Sequence, residues 1–131
     1  MKSEGSLRTP LGRAVGLGSA KEGVEHWWWQ RLTAVALVPL SLWVVAALIG
    51  HLGGGYETAV AWIGSPVPAI LLILALAAGL YHAALGVQVV IEDYVHEEWM
   101  KVTALILLRL FCFLLAVAGI FAVLRLSLLR G

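Results

Sequence analysis

Val67 to Ile91 reads VPAILLILALAAGLYHAALGVQVVI, an apolar stretch that carries His82 inside it and is followed at once by Glu92, Asp93 and Tyr94. A bilayer's hydrocarbon core is roughly 30 Å thick, and a helix crosses it in about 20 residues at 1.5 Å each. Two more runs are long enough to cross: Leu32 to Leu52, which contains Pro39 and no Asp, Glu, Lys or Arg, and Val102 to Leu124, which contains Arg109. A backbone in lipid must satisfy its own hydrogen bonds, and barrel strands would alternate polar and apolar residues, so such runs span as helices. Composition points the same way. The 131 residues, about one domain's worth, are 61% hydrophobic and 13% charged with a mean hydropathy of +0.93, which excludes an ordinary soluble domain. The expected fold is an all-α integral membrane protein with three transmembrane helices at about 30–52, 66–92 and 99–125. These form a transmembrane domain over 30–131, preceded by an N-terminal extramembrane arm over 1–29.

The arm is rich in Gly and Ser, mixed in charge and too poor in apolar residues to span. Its basic start is not followed by an apolar core until about residue 32, and no small-x-small site closes that core, so a cleavable signal peptide is not expected. Trp27, Trp28 and Trp29 stand where the arm meets the first span, the usual level of an interfacial aromatic belt. Lys2, Arg8, Arg13, Lys21 and Arg31 precede the first span and Lys101 lies between the second and third. The intervening loop HLGGGYETAVAWIGSP, His51 to Pro66, has neither Lys nor Arg, and only Arg125 and Arg130 follow the third span. By the positive-inside rule the N-terminus is cytoplasmic, or in an equivalent space such as the mitochondrial matrix, and Asp93-Tyr94 emerges on that same face. The lone Cys112 allows neither an internal disulfide nor a thiolate cluster. Three spans without an apparent repeat do not make an inverted-repeat transporter alone.

Chemistry is concentrated in the second span. Steps of three and four residues return to one face of a helix, so Gly79, His82, Gly86, Val89 and Asp93 fall close to one line. Asp93 lies roughly 16 Å along the axis from His82. With a glycine about a turn away on either side, the imidazole sits in a shallow groove open to something flat or to another backbone. Two readings follow. Small residues at such spacing are common where transmembrane helices pack, and His82 would then only bridge the bundle. Alternatively, an ionisable group at membrane depth is costly and marks function, and a neutral imidazole can give one nitrogen to a haem iron while the other donates a hydrogen bond. Glu97 and Glu98 read as solvated loop residues.

Three segments carry a family resemblance. HAALGVQVVIEDYV, His82 to Val95, is similar to the histidine and the Asp-Tyr pair eleven residues on that mark the smaller hydrophobic membrane-anchor subunit of succinate dehydrogenase, respiratory complex II. QRLTAVALVPLSLW, Gln30 to Trp43, with an arginine followed two residues on by threonine, resembles the start of that subunit's first helix. LGRAVGLGSAKEGVEHWW, Leu11 to Trp28, resembles its alphaproteobacterial and mitochondrial-like versions. The similarity covers roughly residues 11–125, and the closing RLSLLRG departs from it.

The resemblance implies a set of roles. His82 would be an axial ligand of a b-type haem shared with the larger cytochrome b anchor subunit, the haem iron being its metal. Tyr94 would donate from its hydroxyl to a ubiquinone carbonyl, supported by Asp93. Arg31 would lie at the haem propionates or the quinone pocket, where a charged fork suits a carboxylate. Glu92, Asp93 and His96 are close enough in sequence to relay the protons that quinone reduction consumes. FAD and iron–sulfur clusters would belong to the flavoprotein and iron–sulfur subunits, since this chain has no Gly-rich dinucleotide motif and no cysteine set. It would carry no succinate chemistry itself and no nucleic acid, and it would sit in the bacterial inner membrane or its mitochondrial counterpart. A fumarate reductase anchor shares the architecture, and a structural or transporter-accessory membrane protein stands as the reading from another class. Arg109 is expected to snorkel or to meet a partner subunit.

Overall fold

The computed structural model describes residues 18–51 and 53–129, with side chains from residue 23 onward, so Lys2, Arg8, Arg13 and Arg130 lie outside the described residues. The element order is α1 (Gly18–His51), α2 (Gly55–Ile63), α3 (Pro66–Tyr94) and α4 (Glu98–Leu128), and no strand occurs among the described residues. Three helices are long and apolar enough to cross a membrane: the 29 residues Gly23–His51, the 29 residues of α3 and the 31 residues of α4. At 1.5 Å per residue these measure about 44–46 Å, the thickness of a bilayer with its headgroup layers included. The protein is a multi-pass α-helical membrane protein.

The boundaries of α3 and α4 fall within a few residues of those expected from hydropathy. The first helix differs. It is already helical at Gly18 rather than near residue 30, so the described part of the arm, 18–29, is helix continuous with the first span. Hydropathy marks only what must sit in lipid, and SAKEGVEH is polar enough to be missed although nothing in it breaks a helix. A second difference is α2, nine residues inside a loop expected to be irregular. Its start is glycine-dependent: Gly55 has φ +75°, and a Cβ on Gly54 would come within 2.6 Å of Cγ2 of Thr58. The α2 helix is pinned by Trp62, which stacks on His51 at 4.8 Å and tilts against Trp43 at 5.6 Å between ring centroids. Pro66, at the first turn of α3, sets the helical φ where no amide donor is needed.

α3 is the central helix. It packs against both α1 and α4, which show no close backbone approach to each other among the described residues. Where α3 meets α4, Gly119 lies close to Leu76, whose methyls would stand 3.0 and 3.4 Å from an added Cβ. So thin an arrangement buries little. Ala69, Leu85 and Val123 are the buried hydrophobic side chains among the described residues, and Thr33 is the buried polar one. Exposed leucines, valines and phenylalanines cover the rest, as befits a surface solvated by acyl chains.

Candidate functional site

The face of α3 carrying Gly79, His82 and Gly86 is turned toward α1. A Cβ on Gly79 would contact Leu37 at 3.8 Å and one on Gly86 would contact Gln30 at 4.0 Å, both ordinary van der Waals distances. The glycine gaps are therefore filled by α1 side chains and leave no open groove along that line. His82 lies between them and meets α1 directly, its Nδ1 standing 3.0 Å from Oγ1 of Thr33. The same hydroxyl is 2.7 Å from the carbonyl of Trp29 and 3.2 Å from that of Gln30.

Beside this contact opens a cleft of about 400 Å³, lined by His26, Trp27, Gln30, Arg31 and Ala34 of α1 and by His82 and Val89 of α3. The sequence separates Arg31 from His82 by an entire span and loop, yet both side chains border this one cleft. Arg31 is also held over the Trp27 ring, its guanidinium carbon 5.7 Å from the ring centroid. Trp27 is thus part of the cleft wall. Two buried polar atoms in the same wall, Nε2 of His26 and Oε1 of Gln30, have no hydrogen-bond partner among the described residues. Buried polar groups are nearly always paired, and these two are exceptions within this chain.

His26, Gln30 and Thr33 are the contributors that sequence reasoning overlooked. Their signal was present: positions 26, 30, 33 and 37 step by four, three and four, one stripe of a helix. What the sequence lacked was the partner helix that makes the stripe an interior one.

Asp93 and Tyr94 lie elsewhere. They are exposed at the C-terminal end of α3, Tyr94 at 78%, and border neither cleft. Tyr94 is about 18 Å along the helix from His82. Glu92 accepts a hydrogen bond from Nε2 of Gln88 at 2.8 Å, and Val95 to Glu97 turn the chain into α4, where Lys101 stands 3.9 Å from Glu98. A larger cleft of about 540 Å³ runs between α3 and α4, bordered by Tyr81, Leu85, Gln88, Arg109, Cys112 and Phe113. It accounts for Arg109, but it offers no imidazole, and the smaller cleft is the one with ligating chemistry. Among the described residues no three of His, Cys, Asp and Glu come together to cage a bare metal ion. An imidazole nitrogen can ligate a metal and the Arg31 guanidinium can meet a carboxylate, whereas the amide oxygen of Gln30 only accepts and suits a donor.

Fold and cleft together define a class: a three-span helical membrane protein with two imidazoles, an arginine and an amide gathered at a helix–helix seam. The chain belongs to the succinate dehydrogenase/fumarate reductase transmembrane subunit family, which matches residues 5–126. It is 39% identical over 117 residues to the succinate dehydrogenase hydrophobic membrane anchor subunit of Rickettsia bellii (strain RML369-C), covering 89% of this chain and 94% of that one. It is 36% identical over 123 residues to the protein of the same description from Paracoccus denitrificans, covering 92% of each. The succinate dehydrogenase membrane anchor subunit of Reclinomonas americana is 28% identical over 92 residues, 68% of this chain and 77% of that one. No solved structure matches the chain.

Proposed function

We propose that the chain is the small hydrophobic anchor subunit of a succinate:ubiquinone oxidoreductase, holding a b-type haem through His82 and bordering the ubiquinone-reduction site through Tyr94 and Asp93. The observation that carries this reading is the convergence of His82 and Arg31 on one cleft whose wall also holds the unpaired Nε2 of His26 and Oε1 of Gln30. In this reading His82 would hold the haem iron and the Arg31 guanidinium would meet the haem carboxylates. When bound, the haem supplies a one-electron redox centre. The cleft forms one wall of the cofactor site, and the larger cytochrome b anchor subunit supplies the other wall and the second ligand.

Tyr94 works apart from the haem. Standing exposed at a helix end, its hydroxyl can donate to a quinone carbonyl while the isoprenoid tail stays in lipid, and that bond strengthens as negative charge develops on the oxygen. Asp93, adjacent and exposed, orients the tyrosine and lies on the aqueous side from which two protons per quinone must come. Glu92, tied to Gln88, and His96 are further proton-carrying groups near it. Electrons arrive through the iron–sulfur subunit from a flavoprotein that holds FAD, and these two partners dock on the Asp93-Tyr94 side. The membrane is the bacterial inner membrane, with the N-terminus cytoplasmic. Every relative named above is described as a succinate dehydrogenase anchor, which favours succinate oxidation over the fumarate reductase alternative.

The test is an absorbance spectrum of the purified complex. Wild type is expected to show a Soret band and reducible b-type peaks, and His82→Leu to lose them while the subunits still copurify. An unchanged spectrum with full haem content in His82→Leu would move the ligand elsewhere and leave His82 as a packing residue.

A further inference from the structure

The hydrogen-bond geometry around Thr33 carries more than a contact. Its hydroxyl has one proton to give and three groups within reach: the Trp29 carbonyl at 2.7 Å, the Gln30 carbonyl at 3.2 Å and Nδ1 of His82 at 3.0 Å. Carbonyl oxygens only accept. If the proton went to Nδ1, the closest contact of the set, oxygen to oxygen at 2.7 Å, would hold no proton between two acceptors. The arrangement that satisfies every atom gives the hydroxyl proton to Trp29, and the lone pairs that remain on Oγ1 then receive a proton from Nδ1–H. That fixes the tautomer: Nδ1 carries the hydrogen and Nε2 keeps a bare lone pair.

We infer that Thr33 is a positioning residue for His82, selecting the Nδ1–H tautomer and making Nε2 the nitrogen that faces a metal. Two features suit it to this. Thr33 is the buried polar side chain among the described residues, 8% exposed, so water does not compete for its hydroxyl. Its own donation to Trp29 also polarises the oxygen and makes it a better acceptor for the imidazole, since chained hydrogen bonds strengthen one another. A ring nitrogen that donates to a fixed acceptor orients the ring and raises the basicity of the opposite nitrogen. The inference rests on the haem reading for its consequence, but the tautomer is a property of this chain alone.

The two can be tested apart. In the full-length chain in detergent micelles without haem, ¹⁵N spectra of labelled histidine, with the His82 resonances assigned by a His82→Gln control, report the tautomer. Wild type and Thr33→Ser are expected to show Nδ1–H, and Thr33→Val, which keeps the shape and removes the hydroxyl, a mixture of tautomers. An Nε2–H form in the wild type, or the same tautomer in Thr33→Val, overturns the inference whatever becomes of the haem. In the assembled complex, Thr33→Val is expected to retain its subunits, to hold haem about 10-fold or more weakly, to shift the low-spin ferric EPR signal and to move the midpoint potential upward, with Thr33→Ser restoring all three. A wild-type EPR signal and potential in a haem-replete Thr33→Val complex would also overturn it. If the tautomer result held but His82→Leu retained its haem, the haem reading would fail and the positioning inference would stand.

Discussion

Tyr94→Phe removes one oxygen and leaves the ring. Tyr94 is 78% exposed, and its hydroxyl has no hydrogen-bond partner among the described residues, so the fold loses no internal bond. A surface change of this kind shifts stability by no more than about 0.5 kcal/mol, and the subunit should assemble with full haem. The rate is another matter. A hydrogen bond to a group that is acquiring charge is worth about 1.5–3 kcal/mol, and each 1.36 kcal/mol is a decade in rate, so ubiquinone reduction should fall about 10- to 150-fold. Two steady-state assays on one preparation isolate the step. Succinate oxidation by an artificial acceptor that takes electrons upstream of the quinone should stay at the wild-type rate, and succinate-driven ubiquinone reduction should carry the loss. Ubiquinone reduction at the wild-type rate would mean that the quinone carbonyl is held by another subunit and that the Asp-Tyr pair has no catalytic part in this protein. A parallel loss in both assays would instead point to misassembly.

Arg31→Ala should weaken haem retention, measured as haem per complex after detergent washing, and Arg31→Lys should recover only part of it because the planar fork is lost; full retention in Arg31→Ala would reduce its role to the Trp27 contact and topology. Gly119→Ala should be tolerated within about 1 kcal/mol, since the Leu76 methyls that meet the new Cβ at 3.0 and 3.4 Å end a flexible side chain and alanine favours the helix. Gly119→Phe should push α3 from α4 and lower the yield of complex on native gels, and an undiminished yield would show that the close approach is not needed.

The spans were legible because lipid imposes a length and a composition that a sequence cannot hide. The ends of α3 and α4 were nearly legible for the same reason. The start of α1 was not, because residues 18–29 are helical without being apolar, and α2 was hidden behind Gly53-Gly54-Gly55, which read as loop while ETAVAWI after them is helix. Of the site, His82 and Arg31 stood out singly as ionisable residues near or within apolar runs. That they border one cleft depends on the register of α1 against α3, and a single sequence holds no measure of how two helices slide past each other. The same ignorance hid Thr33: it was visible as part of a motif, but its hydroxyl acquires meaning only from an imidazole 49 residues away. The glycines flanking His82 left packing and ligand approach equally open, and α1 side chains now occupy both gaps.

α3 packs against both α1 and α4, and no close backbone approach joins α1 to α4 among the described residues. In lipid such a shape loses nothing by exposing its leucines and valines, because acyl chains solvate them as well as another protein would. The whole greasy exterior is therefore indifferent to which neighbour it touches. Among the described residues, polar side chains gather at the α1–α3 seam, where His26, Gln30 and Arg31 line a cleft, and at the end of α3, where Asp93 and Tyr94 are exposed. Most of the residues that carry this protein into the bilayer are interchangeable with any other grease, and whatever tells one neighbour from another must come from such polar positions.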